Sequence, residues 1–138
     1  MIRTLIIFFA ALTLGACAMP QPRPISHDVV NNRPLDSVAK ELFKMAELCW
    51  YSQDGVAIVG RQVKGIKLSP EHSQITVNFR STSSRTPTPF FTVDITKSGN
   101  DTIVISKKSK CLSGCDVPLE NDLKRWISGD LSCSNLGG

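Results

Sequence analysis

From Leu35 to Trp50, the apolar residues Leu35, Val38, Ala39, Leu42, Met45, Ala46, Cys49 and Trp50 recur at helical spacing, and Lys40, Lys44 and Glu47 fall elsewhere around the circumference. The spacing predicts an amphipathic helix of about four turns. Asp36 or Ser37 is placed to cap its start, and Gln53-Asp54-Gly55 supplies a stop. Phe43 lies off the stripe and widens the buried face.

After Gly55 the period changes to two. Val56 to Val59 and Ile66-Lys67-Leu68 read as one interrupted strand, with Gly60 and Gly65 marking a bulge or bend between its halves. Ser69 to Ser73 turns the chain. Ile75, Val77 and Phe79 then alternate with Thr76, Asn78 and Arg80, and Phe91, Val93 and Ile95 alternate with Thr92, Asp94 and Thr96. Ser98-Gly99-Asn100-Asp101 predicts a hairpin loop into Ile103 and Ile105. One apolar face per strand means an antiparallel sheet covered on one side.

A second helix is predicted near the C-terminal end. Asp116 and Val117 precede Pro118, Glu120 and Asp122 sit near the positive end of the helix dipole, and Lys124 and Arg125 sit near the negative end, before a stop at Gly129. Leu119, Leu123, Trp126 and Ile127 form its stripe, so both tryptophans, Trp50 and Trp126, occupy core-facing positions. The expected fold is α+β: an N-terminal helix, a four-stranded antiparallel β-meander and a C-terminal helix, with both helices on the sheet's apolar face.

The N-terminal segment carries a different signal. Met1-Ile2-Arg3-Thr4 holds one positive charge, Leu5 to Leu14 is apolar except for Thr13, and Leu14-Gly15-Ala16-Cys17 closes the run. An apolar run this short falls well below the ~20 residues needed to span a bilayer as a helix. These residues resemble the signal peptide and lipobox of bacterial lipoproteins, a resemblance confined to residues 1 to about 19. It implies cleavage before Cys17 and acylation of Cys17 as the mature N-terminus. Ala18 stands where that class carries an Asp for inner-membrane retention, so the resemblance implies the outer membrane, with the domain facing the periplasm. The residues also fit an ordinary signal peptide cut after the Ala-x-Ala-like site Ala16-Cys17-Ala18. The expected organisation is a signal peptide over 1–16, an acylated Cys and Pro-rich tether over 17–34, and one small domain over 35–138. Run as polyproline II, that tether would reach about 50 Å.

Cys49, Cys111, Cys115 and Cys133 remain after Cys17, an even number in a chain bound for an oxidising compartment. Two structural disulfides are expected, in any of three pairings. A zinc site using Cys111 and Cys115 is the competing reading, and no metal or other cofactor is expected. The full chain's net charge of +4 is mild. With export, it argues against a nucleic-acid partner, because the basic residues lack interleaved aromatics.

Candidate chemistry is sparse. The two histidines are His27 in the tether and His72 in a predicted turn; no Gly-x-Ser-x-Gly or phosphate-cradling loop occurs, and Asp94 projects from a strand with no partner legible in the sequence. No enzymatic activity is expected. Two features suit binding. Ser81 to Pro89 is a long polar connection in which Ser84 and Arg85 could engage a partner. Lys107, Lys108 and Lys110 are the densest positive run; they either guard a strand edge or meet an anionic surface. The expectation is a non-enzymatic, membrane-anchored lipoprotein whose domain binds a protein partner in the cell envelope, as an accessory subunit of an envelope or secretion assembly. A periplasmic inhibitor or immunity protein and a small cell-wall hydrolase are the alternatives.

Overall fold

The computed structural model describes residues 23–53, 56–57, 61–79, 86–109 and 117–134. The elements run β1 (Arg23–Val30), α1 (Leu35–Ala46), a π-helical turn (Glu47–Tyr51), β2 (Ser52–Gln53), β3 (Val56–Ala57), β4 (Arg61–Ser69), β5 (His72–Phe79), β6 (Thr88–Ser98), β7 (Asp101–Lys108) and α2 (Val117–Ile127). The sheet has five strands in the order β1-β7-β6-β5-β4, every neighbour antiparallel. The α+β class, the antiparallel sheet and the two helices agree with the sequence reading.

The fifth strand does not. β1 falls inside the stretch read as tether, and it closes the sheet by pairing Arg23 with Lys108 through to Val30 with Thr102. An edge strand has only one neighbour and needs no clean alternation, so Arg-Pro-Ile-Ser-His-Asp-Val-Val shows little of the period-two signal. Pro24 is tolerated because it precedes a register shift at the start of an edge strand. A second difference concerns Val56 to Val59. Among the described residues Val56–Ala57 pairs only with Ser52–Gln53 in a separate small ladder, Ile58, Val59 and Gly60 lie outside them, and the first described strand of the meander begins at Arg61. Ser98 and Asp101 pair across a two-residue turn at Gly99-Asn100, as the sequence predicts, and Gly99 takes φ +61 there.

α1 begins one residue before its predicted caps. The Pro34 carbonyl accepts from the amides of Ser37 and Val38, both at 3.1 Å, and no side chain caps the helix. Asp36 sits in the first turn and receives Lys67 Nζ at 2.8 Å. Past Ala46 the helix widens into the π turn, which places consecutive residues Cys49 and Trp50 both in the core. Phe43 explains Gly65. A Cβ at that glycine would lie 2.6 Å from the Phe43 ring, so the ring occupies the space a side chain would need. The register shift in β4 comes later, between Lys67 and Ser69.

One core joins both helices to one face of the sheet: Leu42, Leu119 and Leu123 pack with Ile75, Val77, Phe91, Val93, Ile95 and Val104. Trp50 and Trp126, both fully buried, lie with ring centroids 4.8 Å apart, and Phe91 meets Trp50 edge-on at 5.6 Å. α2 ends as its sequence predicts. Gly129, at φ +95, donates to the Trp126 carbonyl and Asp130 to that of Arg125, the paired bonds of a Schellman close.

The segment after α2 is strapped to the core. The fully buried Asp122 carboxylate accepts from Trp50 Nε1 at 3.2 Å and the Ser134 amide at 2.7 Å, and pairs with Arg125. Trp126 Nε1 donates to the Ser132 carbonyl at 3.0 Å. A disulfide joins Cys49 to Cys133 across a sequence separation of 84. Cys111 and Cys115, the other expected disulfide cysteines, lie outside the described residues, as does Cys17.

Candidate functional site

No described helix packs on the sheet face opposite the core. Register pairs place residues in rows across it: His27 beside Ile105, Ile105 beside Asp94, Asp94 beside Gln74, and Gln74 beside Ile66. A neighbouring row joins Val29, Ile103, Thr96 and His72.

Asp94 is the centre of this face. Its Oδ1 accepts from Gln74 Nε2 at 2.8 Å and His72 Nε2 at 3.0 Å, and its Oδ2 accepts from Lys107 Nζ at 2.6 Å. An ionised carboxylate only accepts, so His72 donates to it from Nε2. The Asp94 side chain is 8% exposed, against 33% for His72 and 37% for Lys107. Burial alone would push the Asp94 carboxyl up. Hydrogen bonds from Lys107, Gln74 and His72, together with the Lys107 charge, more than offset it and hold the carboxyl below its ordinary 3.8. The result is a fixed polar island in which His72 and Lys107 remain partly exposed. Exposed apolar residues flank it: Ile66 on β4 and Val29 on β1 are about half exposed.

The sequence-predicted site residues scatter. Ser84, Arg85 and Lys110 lie outside the described residues. Lys107 and Lys108 separate onto opposite faces, the first held by Asp94 and the second in register with Arg23 and Phe91. The edge-guarding reading of this run fails because β1 covers β7; the sheet's edges are β1 and β4. His72 opens β5 instead of lying in a turn. The lysines that stand on an edge strand are Lys64 and Lys67 of β4.

The Asp94 cluster escaped the sequence reading. Its signal was the outward series His72, Gln74, Thr76 on one strand facing Asp94 on the next, and register was needed to see that Lys107 completes it. A depression of about 370 Å³ lies away from this cluster, between the β1–α1 connection and the β6–β7 turn. Its Arg33 is occupied by Glu41 at 2.8 Å and its Asp101 accepts from the Asn32 amide at 3.0 Å, bonds that tie the connection down.

No protein-family model and no curated protein matches the chain. Among solved structures, the vertebrate conserved region (VCR) of human METTL16 is similar at 21% identity and a TM-score of 0.38, over 79% of this chain and 94% of that one. A likeness that loose says nothing of what either chain binds.

Proposed function

We propose that this protein is a non-enzymatic outer-membrane lipoprotein, anchored through an acylated Cys17, whose domain binds a protein partner of the cell envelope through the sheet face opposite its core. In this reading it is an accessory subunit of an envelope or secretion assembly. The observation that carries the proposal is that face itself. A buried carboxylate fixes His72, Gln74 and Lys107 in place at no further ordering cost on binding, and exposed Ile66 and Val29 stand on either side. A prearranged polar centre with apolar flanks suits a protein surface. The lipobox resemblance supports the anchor.

In-cell crosslinking of the full-length protein, with mass spectrometry of captured partners and of the N-terminal peptide, tests both parts. The expected result is one defined envelope assembly, diacyl- or triacyl-modified Cys17, and loss of capture in Ile66→Glu and Val29→Glu variants that melt normally. Capture that survives both substitutions refutes the sheet face as the binding surface. An unmodified Cys17 refutes the anchor.

A further inference from the structure

We infer that the end of the sheet where β1 begins is a docking surface for anionic phospholipid headgroups, seating the domain directly on the bilayer that holds its acyl chains. This rests on the lipid-anchor reading of Cys17 and adds an orientation to it. Six residue steps separate Cys17 from Arg23, where β1 is already paired with β7. At full extension they span about 20 Å, so the start of β1 cannot stand far from the membrane. Had the chain been free to Pro34, the domain could have drifted well beyond electrostatic range.

Antiparallel register brings five strand ends together there: Arg23-Pro24, Arg61-Gln62, Asn78-Phe79, Thr88-Pro89-Phe90 and Lys107-Lys108. Four of these residues are cations, of which Lys107 is paired with the Asp94 carboxylate, and none is acidic. The opposite end mixes signs, with Glu71 and Asp101 close to Lys67 and Lys97. Arg23 and Lys108 stand directly opposite each other in the β1–β7 ladder, both exposed. Two exposed cations side by side suit the phosphate groups of a bilayer surface. Phe79 is 50% exposed at the same end. Arg61 lies 5.8 Å from the centre of the Phe90 ring, adding charge behind the surface. Cations around an exposed aromatic ring are the composition of an interfacial membrane contact, with the ring entering the headgroup region. Each cation near an anionic bilayer strengthens docking about fivefold, an attraction that fades within about 8 Å. The short connection to Cys17 lets this end reach that range while limiting its excursion to about 20 Å.

The test uses the full-length acylated protein in vesicles of phosphatidylcholine alone or with about one-third phosphatidylglycerol. Trp50 and Trp126 are fully buried, so a Phe79→Trp variant adds an exposed reporter. Lipids brominated in the upper acyl chain should quench it at least twofold more in phosphatidylglycerol vesicles than in phosphatidylcholine. Combining it with Arg23→Glu and Lys108→Glu should weaken docking by about several hundredfold and abolish that excess. In the unaltered protein, an amine-reactive reagent should modify Lys108 less in anionic than in neutral vesicles, with Lys97 at the far end unchanged. Equal quenching and equal Lys108 labelling in the two lipids overturn the inference, as does an excess that survives charge reversal or appears only with lipopolysaccharide. The N-terminal peptide mass from the same samples separates this failure from failure of the anchor.

Discussion

Asp94 and Lys107 allow a prediction about how the sheet face opposite the core is held. Replacing Asp94 by Ala removes the shared acceptor of Lys107, Gln74 and His72. Were the three donors sealed from water, the cost would approach that of breaking a buried ion pair, about 3–5 kcal/mol. Lys107 and His72 are each about one-third exposed and can turn to solvent, so the expected loss is smaller, about 2–4 kcal/mol. Asp94→Asn keeps one acceptor oxygen but turns an amide toward the Lys107 ammonium, for about 1–2 kcal/mol. Lys107→Met leaves the carboxylate two neutral-side-chain donors and should cost about 1–2 kcal/mol. In a double-mutant cycle, Asp94 and Lys107 should couple by about 1–2 kcal/mol, between exposed and fully buried pairs. Urea unfolding at neutral pH, followed by tryptophan fluorescence, is the assay, since Trp50 and Trp126 stack in the core. Coupling under about 0.3 kcal/mol would mean that Lys107 merely rests on the carboxylate, and the prearranged centre claimed for this face would be lost.

The same cluster gives a pH dependence. Because the Asp94 carboxyl lies below 3.8 when folded, its stabilising contribution is complete above the unfolded-state value and is lost as pH falls through the lower folded value. Wild type should therefore lose more stability than Asp94→Asn between about pH 5 and 2, as measured by thermal melts across that range. Cys49→Ala with Cys133→Ala opens a loop of sequence separation 84, worth about 4.5 kcal/mol of unfolded-chain entropy. The expected result is a much lower urea midpoint, and an unchanged midpoint would refute the bond's role as a staple. Gly65→Ala should cost about 1–3 kcal/mol by forcing the Phe43 ring away. In a Phe43→Leu background most of that cost should vanish, and equal costs in both backgrounds would place the strain elsewhere.

The elements with two buried-face neighbours were legible from periodicity. Phe91, Val93 and Ile95 alternate because each points into a core formed by helices on one side only, and Leu35, Val38 and Leu42 repeat because α1 lies flat on that core. The strand that was missed lies at the boundary. β1 has one neighbour, a proline at its start and His27 and Asp28 in its middle, so nothing local separates it from tether. Gly65 carried information of the wrong kind: a glycine within a strand signals a bend or a close approach, and only the position of Phe43 decides which. Asp94 was visible as an outward carboxylate. Its partners come from three strands, and Lys107 was concealed in a run of lysines that looked like one feature until the strand sent Lys107 and Lys108 to opposite faces.

The position of β1 in the sheet also sets the order in which the fold can be completed. Its partner β7 is the last strand, so Val30 must wait for Thr102 and Arg23 for Lys108, while β4 with β5 and β6 with β7 close through two-residue turns. Loop closure over such separations is slow compared with hairpin formation. Residues 23–30 are therefore made before their partner and paired late, and until β1 docks the sheet carries a second open edge along β7. The interval before β1 docks is when this chain is most exposed to pairing with a neighbouring copy, and a partner that occupied the β7 edge until then would protect the sheet.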